Sequence, residues 1–578
     1  MKKTIYTVIC AFAFQCISAQ NAFMVKDIKI GGNSLPQYLT TFQNKVYFSA
    51  NDSIGNQELF VSDGTEVGTF MLKDICAGAC SADPQYLFNG GSKLYFDAGS
   101  FPRKLYASDG TSSGTDTLNT TVTEGGTGFV NMNGETFFSG GTFSSTGNEL
   151  FKTNGTSAGT VLVKDVYTGV TGGLSSALYP AGNKLFFAAN DLAGYGLFAS
   201  DGSVGNATKL LSMNFNVAQF KYLGTHNSIF YFSQNDSVHG NELWASDGTI
   251  SGTVLLDLNT EAEGSSDPRN FTVMNNEVYV IANGGSTTGK ELFKTNGTVG
   301  GTSLVKDAAP GADDGIRNDL VAVGNKIYFQ GYTSGFNNTE LWSSDGTSVG
   351  TAKLVEVAAT QQDIRDMGAV NNKLVFILKA NNSDVWGSDG TVLGTTLLRA
   401  AQFTQNIDGF TASNNRLFFV GKNDTAGREL WTTDGTVNGT FMVINAADTT
   451  ENSDPQDLVD LNGILFYTCD DRKHGRELWR VDTVQLALNN PSDIKEQKAN
   501  AIFGLYPNPV SQTLFLQVEN GLLNTETQMR IFDVSGKLIR AENISSSRVD
   551  VSSLANGFYV LTLNTNNKPL QQKFVVQH

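Results

Sequence analysis

The sequence has no long apolar run beyond its first twenty residues, and it has only five cysteines and four histidines. Without about twenty consecutive apolar residues, no membrane-spanning helix is predicted. Basic residues are also scarce, 40 against 56 acidic ones, and the formal net charge is −16. This balance argues against nucleic acids and anionic membrane surfaces as partners. No Ser-His-Asp order, Gly-rich phosphate loop or Cys-Cys metal spacing is present, so we expect a protein that is not an enzyme.

The first nineteen residues have the pattern of a secretory signal peptide. Lys2 and Lys3 precede an apolar run over residues 5–17, and small residues follow up to Ala19. Cys16 raises the alternative of a lipoprotein anchor, which the bulky Gln15 directly before it disfavours. We therefore predict cleavage near Ala19 and a protein that is secreted or placed on the outer cell surface.

Three cysteines remain after this cleavage, and two of them are close in sequence. Cys76 and Cys80 are a candidate disulfide in an exported protein, which leaves Cys469 unpaired. A metal site at the pair has little support, because no histidine or third cysteine lies nearby in sequence.

The dominant feature of the chain is an internal repeat. Units similar to Glu-Leu-Trp-x-Ser-Asp-Gly-Thr-x-x-Gly-Thr recur nine times, and a tenth copy ends before its Asp-Gly-Thr. Neighbouring copies lie 44 to 49 residues apart, with the acidic or amide residue of the turn at Asp63, Asp109, Asn154, Asp201, Asp247, Asn296, Asp345, Asp389 and Asp434. A fixed period of this length, with four short strands per unit, is typical of β-propeller blades.

The two ends of the repeat region complete each other. Residues 23–28 match residues 70–75, which form the fourth strand of a unit, and the region ends at a third strand near Trp479. Pairing the first strand with the last unit would close a ring without an open sheet edge. We predict an all-β protein with a β-propeller of about ten four-stranded blades over residues 22–482. Ten exceeds the usual four to eight blades, so two packed five-bladed rings stay open as an alternative.

The Asp-Gly-Thr turns are predicted to be structural. Asp or Asn can accept hydrogen bonds from backbone amides two residues on, and the following glycine can adopt positive φ. Asn154 and Asn296 keep the hydrogen bonds and lose the charge, which suits a turn better than a cation site. The repeat resembles that of a family of secreted bacterial β-propeller proteins over about residues 23–482, a resemblance that implies surface or extracellular roles and no particular reaction.

Because strands in a blade alternate in direction, the loops separate onto two faces. The turn face carries the first-to-second turns and every Asp-Gly-Thr turn, and the loop face carries the second-to-third loops and the crossings between blades. We predict that the loop face binds the ligand. Its acidic residues, which either hold Ca²⁺ or simply form turns, are Asp52, Asp83, Asp191, Asp236, Asp267, Asp314, Asp424, Asp454 and Asp470.

A second domain follows a polar linker over residues 483–502. Residues 503–578 contain short alternating strands and predict a small Ig-like β-sandwich. Four motifs in this module resemble the C-terminal sorting domain of type IX secretion, which implies recognition by the outer-membrane translocon. The residues that carry the resemblance are Pro507, Asn508, Pro509, Asp533, Gly536, Gly557, Tyr559 and Lys573. The alternative is an ordinary Ig-like domain that aids adhesion.

Together these features predict an exported binding or adhesion protein whose propeller binds a glycan or a protein, with Ca²⁺ as a possible cofactor. One alternative is a secreted carbohydrate-active enzyme with catalytic carboxylates on the loop face, since such pairs leave no linear motif. A third hypothesis is a scaffold selected only for a stable ring.

Overall fold

The computed structural model is all-β, and the chain divides into two compact units, Met1–Asn490 and Pro491–His578. The structure describes residues 22–578 except 100–102, 119–121, 123, 143–146, 170–171, 175–176, 214–219, 318, 333–338, 359–361, 380–382, 404–407, 424–425, 449, 484–485, 487–503, 507–508, 518–526, 534–537 and 565–568. The predicted signal peptide and most of the predicted linker lie outside the described residues.

The first unit consists of ten four-stranded antiparallel sheets, the blades. A single strand, β1 (Ala22–Lys26), precedes blade 1. The strands of blades 1 to 5 are β2 (Gln37–Phe42), β3 (Lys45–Asn51), β4 (Gln57–Ser62), β5 (Phe70–Lys73); β6 (Gln85–Asn89), β7 (Leu94–Ala98), β8 (Lys104–Ser108), β9 (Asp116–Thr117); β10 (Glu124–Met132), β11 (Glu135–Thr142), β12 (Gly147–Thr153), β13 (Val161–Lys164); β14 (Tyr179–Ala181), β15 (Lys184–Asp191), β16 (Gly194–Ser200), β17 (Thr208–Ser212); β18 (Lys221–His226), β19 (Ile229–Asn235), β20 (Asn241–Ser246) and β21 (Thr253–Leu256).

Blades 6 to 10 continue in the same order. Their strands are β22 (Arg269–Met274), β23 (Glu277–Asn283), β24 (Lys290–Thr295), β25 (Ser303–Lys306); β26 (Val321–Val323), β27 (Lys326–Gly331), β28 (Thr339–Ser344), β29 (Ala352–Ala358); β30 (Asp363–Val370), β31 (Lys373–Lys379), β32 (Ser383–Ser388), β33 (Thr396–Phe403); β34 (Asp408–Ser413), β35 (Arg416–Asn423), β36 (Gly427–Thr433), β37 (Phe441–Ile444); β38 (Gln456–Leu461), β39 (Ile464–Asp470) and β40 (Arg476–Asp482).

The middle strands of each blade are buried on both sides. Five consecutive residues of β3 are buried, and so are five consecutive residues of the adjacent β4. A strand that alternates between core and solvent would show every second residue exposed, whereas these strands lie between two neighbouring blades. Their aromatic and β-branched residues therefore fill the spaces between blades, and the blades depend on one another for their cores.

The first unit is one closed ring of ten blades. The strand β1 pairs antiparallel with β40, with Ala22 opposite Val481 and Met24 opposite Trp479, so the last blade has the strand order β1-β40-β39-β38. At the same seam, β2 of blade 1 lies against β38 of blade 10. The ring is therefore closed by the two ends of the repeat region, as predicted, and the alternative of two five-bladed rings is wrong.

The second unit consists of a three-stranded and a four-stranded sheet. Their orders are β41-β42-β45 and β44-β43-β46-β47. The strands are β41 (Gly504–Tyr506), β42 (Thr513–Gln517), β43 (Gln528–Asp533), β44 (Leu538–Asn543), β45 (Arg548–Asp550), β46 (Gly557–Asn564) and β47 (Pro569–Val576). Residues of both sheets, such as Leu514 and Leu561, belong to one buried cluster. The unit is thus a small β-sandwich.

Candidate functional site: the loop face and the central channel

The Asp-Gly-Thr turns form a repeated hydrogen-bond network within the chain. In blade 5, Asp247 Oδ1 accepts from the Thr249 backbone N–H at 2.9 Å and from Thr249 Oγ1 at 2.7 Å. The Thr249 hydroxyl oxygen in turn accepts from the Gly252 N–H at 2.9 Å. Asn154 and Asn296 accept the same two bonds through Oδ1, so no charge is needed. These contacts give the motif a structural role.

The glycine of the turn also lets neighbouring blades approach closely. Gly346 has φ of +88°, and a Cβ built there would lie 2.2 Å from Oη of Tyr279 in the preceding blade. Gly390 and Tyr328 repeat this arrangement at 2.4 Å. The turn therefore sets the spacing of the blades as well as the path of its own chain.

A buried glutamate fixes the crossing that leads to the next blade. Glu242, which begins the Glu-Leu-Trp motif, is fully buried. Its carboxylate accepts from the backbone N–H of Leu258 at 2.9 Å, from the N–H of Ser266 at 2.7 Å and from Ser266 Oγ at 2.6 Å. Equivalent carboxylates that accept from crossing amides are Glu58, Glu149, Glu291, Glu429 and Glu477.

Burial dominates the titration of these glutamates. It raises the pKa of Glu242 to about 7, although the hydrogen bonds from Ser266 and Leu258 oppose the shift. The equivalents with a pKa raised to about 7 by the same cause are Glu149, Glu291, Glu429 and Glu477. The carboxylates face backbone amides at the ends of the blades, and they therefore serve the architecture.

These raised pKa values predict that the protein is more stable at mildly acidic pH. Between the unfolded pKa near 4.5 and the folded pKa near 7, the folded state holds more protons, so the free energy of unfolding falls as pH rises through that window. We expect the melting temperature to drop by roughly 5 °C or more from pH 5 to pH 8. Differential scanning calorimetry over this pH range measures the change in melting temperature.

Two histidines also lower the free energy of unfolding as the pH rises, so their contribution needs a control. The rings of His239 and His474 donate hydrogen bonds to the carboxylates of Asp236 and Asp471, and these bonds raise the pKa values of both histidines. A variant with both histidines changed to Gln should keep most of the fall in melting temperature between pH 5 and pH 8. A flat profile in that variant would assign the effect to the histidines and contradict the role of the glutamates.

The structure places the described acids of the loop face in or directly beside the segments that the sequence assigned to them. Asp52 and Asp236 lie in second-to-third loops, and Asp191 and Asp470 end the second strands β15 and β39 just before such loops. Crossings hold Asp83, Asp267, Asp314 and Asp454. Asp424 lies outside the described residues. The two kinds of segment meet, since Asn56 Nδ2 donates to the carbonyl of Gly78 at 2.8 Å.

Each of these eight described acids has a partner within the chain. The four acids in or directly before the second-to-third loops accept, at 2.8 to 2.9 Å, from a backbone N–H two residues on, the donors being Ile54, Ala193, Val238 and Arg472. Those in crossings contact Arg103, Asn241, Lys290 and Arg428. Over the described part of the chain, no group of three or more His, Cys, Asp or Glu side chains is arranged to hold a metal ion. The binding of Ca²⁺ by these loops stays a prediction.

Cys76 and Cys80 form a disulfide in the crossing from blade 1 to blade 2, with Cα atoms 5.5 Å apart. Cys469 is free and buried in β39.

In the second unit, the Tyr559 hydroxyl donates to the carbonyl of Ala555 at 2.9 Å. Of the other sorting-motif residues, Gly557 begins β46, Asp533 ends β43, and Pro509 and Lys573 are exposed. Pro507, Asn508 and Gly536 lie outside the described residues.

The central channel of the ring is lined by the first strands of the blades. These strands contact one another in succession, for example β18 with β22 and β22 with β26. Most of them contain a β-bulge near their start, where the register with the second strand shifts. A bulge re-aims the local side chains. Since first strands begin on the loop face, the bulges lie at that end of the channel.

Five bulge positions hold a non-glycine residue with positive φ: Tyr38 (57°), Tyr86 (54°), Asn270 (58°), Asp366 (46°) and Asp457 (54°). In blade 7, Asp319 also has positive φ (36°), two residues before β26 begins. Blade 3 has Gly128 at the equivalent position, with φ of 64°. Glycine adopts this conformation without strain, whereas a bulky residue such as tyrosine rarely does. These residues are not predictable from the sequence, because nothing in a single repeat marks a tyrosine for positive φ.

The channel lining differs from one side to the other. The rings of Tyr38 and Tyr86, on adjacent blades, lie 5.8 Å apart, and Tyr86 is 49 % exposed. On the opposite arc, Asn270 Nδ2 donates to Asp319 Oδ1 at 3.0 Å. A cavity of about 530 Å³ opens there between the first strands of blades 6 to 9. The channel mouth thus offers aromatic faces, carboxylates and a cavity.

Comparison with known proteins identifies the second unit. Residues 504–577 match the family model described as a secretion system C-terminal sorting domain. The module is a sorting domain of type IX secretion. It indicates a secreted or cell-surface protein and implies interaction with the type IX secretion system. No helix among the described residues is long and apolar enough to cross a membrane.

Several solved structures are similar to the chain at low sequence identity. The chain is similar to PorZ, a surface component of the type IX secretion system of Porphyromonas gingivalis, at 11 % identity over 94 % of this chain and 86 % of that one, with a TM-score of 0.22. It is also similar to the designed protein Ika8, at 14 % identity over 65 % of this chain and 98 % of that one, with a TM-score of 0.29. A prolyl endopeptidase is similar at 11 % identity over 69 % of this chain and 55 % of that one, with a TM-score of 0.33. No curated protein matches the chain. Likeness at these TM-scores supports no conclusion about function.

Proposed function

We propose that this protein is an exported, non-enzymatic binding or adhesion protein whose propeller binds a glycan or protein ligand where the channel opens on the loop face. The observation that carries the proposal is the set of six non-glycine residues held at positive φ, five of them on the channel strands and Asp319 just before β26. Each costs on the order of 1 kcal/mol or more relative to a relaxed backbone. Gly128 shows that the ring accommodates glycine at this position.

The side chains at the mouth suit a polar ligand with flat faces. Tyr38 and Tyr86 offer neighbouring aromatic rings, and aromatic rings bury large areas at a small entropic cost. Asn270, Asp319 and Asp366 supply hydrogen-bonding groups on the facing arc. A concave site with aromatic walls and few polar groups is typical of ligand binding.

A glycan array probed with the mature chain, residues 20–578, tests this proposal. Tyr38 and Tyr86 are changed together to Asn, which tolerates positive φ, and the matched control is Tyr195→Asn, an exposed tyrosine at the start of β16 in blade 4. We expect the double variant to weaken binding at least about tenfold and the control to leave it unchanged. A screen against extracellular proteins runs in parallel.

The outcomes separate the hypotheses. Signals that disappear with a chelator would support Ca²⁺ on the loop face, and signals that persist would remove the metal from the proposal. Turnover of a bound glycan that is lost when loop carboxylates are changed would favour the carbohydrate-active enzyme. Ligand affinity that is unchanged by the Tyr38 and Tyr86 substitutions would contradict the proposal that the site lies at the channel mouth.

A further inference from the structure

A network of ion pairs lies next to the tyrosine pair at the channel mouth. Arg103, which directly precedes β8, contacts Asp83 at 3.1 Å and Asp97 at 2.9 Å. Its guanidinium also donates to the backbone carbonyl of Asp83. In the sheet of blade 2, Gln85 of β6 lies opposite Asp97 of β7, and Tyr86 follows Gln85 in the chain. The network and Tyr86 therefore share the loop-face end of one blade.

Tyr38 of blade 1 belongs to the same group of side chains. Its ring lies 5.8 Å from that of Tyr86. Burial raises the pKa of the Tyr38 hydroxyl, and the neighbouring Tyr86 raises it as well. The charges of Asp83 and Asp97 add to the rise, and the charge of Arg103 opposes it. Tyr38 is thus close enough to the network to interact with all three of its charges.

A buried carboxylate at position 97 is specific to blade 2. Asp97 is 3 % exposed and lies opposite Leu105 of the third strand. The residues at this position in the other nine second strands, each opposite a leucine or valine, are Ser49, Ser139, Ala188, Ser233, Ile281, Gln330, Ile377, Val420 and Thr468. None of these nine is charged. A buried ion pair often stabilises a fold less than apolar residues of similar size. Since nine blades form without it, the stability of the ring does not explain the pair of Asp97 and Arg103.

Several polar groups of this cluster are available to a ligand. The hydroxyls of Tyr38 and Tyr86 and Oδ1 of Asp83 make no hydrogen bond to any residue that the structure describes. The Asp83 side chain is 37 % exposed, and its other carboxylate oxygen accepts from Arg103 and Gln85. Two carboxylates and one guanidinium give the network one net negative charge. An anionic ligand is therefore disfavoured.

We infer that this cluster is a subsite for a pyranose ring of a neutral glycan. The flat face of the sugar packs on the rings of Tyr38 and Tyr86, which combine an apolar face with a polar edge. Its hydroxyls donate to Asp83 Oδ1 and accept from Arg103, because hydrogen bonds to charged groups are the stronger ones. Asp97 is a positioning residue that holds the guanidinium. This inference rests on the proposed function and deepens it by naming a neutral glycan as the ligand class.

Isothermal calorimetry of the mature chain with neutral hexasaccharides of glucose, mannose and xylose tests the inference. We expect at least one of them to bind with a Kd below about 1 mM, and hexagalacturonate to bind at least about tenfold more weakly. Arg103→Gln should weaken the neutral ligand at least about tenfold, because it removes a charged donor. Arg428→Gln is the matched control and should leave the affinity unchanged. Arg428 directly precedes the Glu-Leu-Trp motif of blade 9, where Arg103 stands in blade 2, and it also contacts a crossing aspartate, Asp454.

Asp97→Ser tests the positioning role in a variant that should fold. Serine is the ring's own residue at this position in blades 1, 3 and 5. We expect the affinity for the neutral hexasaccharide to fall at least about tenfold. A purely structural role would change the melting temperature and leave the affinity as it was.

Three results would overturn the inference: unchanged affinity in either variant, no binding of any neutral hexasaccharide, or tighter binding of hexagalacturonate or of hexameric glucosamine. The proposed function can survive each of them. A protein ligand whose affinity falls when Tyr38 and Tyr86 are changed, with no neutral hexasaccharide bound, would overturn the sugar subsite and leave the channel mouth as the binding site.

Discussion

A chain that begins at Pro36, and so lacks β1, should lose the closed ring. The strand β40 would lose its partner, and Trp479 and Val481 would lose the cover of Met24 and Ala22. An unpaired, apolar strand edge promotes association with other chains. We expect the melting temperature to fall by more than about 10 °C and oligomers to appear. Calorimetry and light scattering coupled to size-exclusion chromatography measure the two effects.

The truncation also affects a buried carboxylate. Glu477 is fully buried, and its partners across the seam are the N–H groups of Ile28 and Ser34 and the Ser34 hydroxyl. Without residues 22–35 these donors are absent, and the carboxylate loses three hydrogen bonds that each stabilise the folded state by roughly 1 kcal/mol or more. The loss at the seam therefore adds electrostatic destabilisation to the exposed edge.

Two controls accompany this prediction. A peptide of residues 22–35 added to the truncated chain should restore part of the lost stability. Removing residues 491–578, which form the other compact unit, should leave the transition of the ring in place. A truncated chain that melts like the full one and stays monomeric would show that β1 does not close the ring.

The second large effect should follow from Glu242→Gln, a change of one functional group. Both carboxylate oxygens of Glu242 accept hydrogen bonds, from the N–H of Leu258 and from the N–H and hydroxyl of Ser266. A glutamine has one acceptor oxygen, so its NH₂ group would face a backbone donor. We expect a loss of about 2 to 3 kcal/mol in the free energy of unfolding, measured by denaturant titration.

The matched control is Glu263→Gln in the same crossing. Glu263 is exposed, and we expect its substitution to change stability by less than about 0.5 kcal/mol. Equal effects of the two changes would mean that Glu242 does not hold the crossing.

The repeat was sufficient to predict the architecture. Nine turns of the Asp-Gly-Thr type at a nearly constant interval, together with the incomplete tenth copy near Trp479, predicted ten blades. The matching fragments at residues 23–28 and near Trp479 predicted the closure that β1 and β40 form. Local rules were enough for the turns as well, because Asp, Gly and Thr interact over two or three residues. The sorting domain was predictable from motifs in its own sequence and is confirmed by the family match.

The role of Glu242 was not predictable in the same way. The residue recurs in seven blades, and that recurrence was a usable signal, but its donors lie 16 and 24 residues further along the chain. Which crossing amides reach a given carboxylate depends on the packing of two blades. Recurrence of an acid in a repeat indicates importance without separating a structural acid from a functional one.

By itself, the sequence determined about ten four-stranded blades, the match between the two ends of the repeat region, the turn chemistry and the sorting domain at the C-terminus, because all of these follow from periodic or local patterns. The tertiary structure decided between one ring and two five-bladed rings, because this depends on which blades pack together. Only the tertiary structure decided which residues line the channel. Tyr38, Tyr86, Asp319 and Asp366 are far apart in sequence. They come to one channel mouth because blades 1, 2 and 8 place Tyr38, Tyr86 and Asp366 at bulges of their innermost strands, and Asp319 lies just before the innermost strand of blade 7. The strain at these positions and the acidic cavity between blades 6 and 9 arise from packing around the ring, which no single repeat encodes.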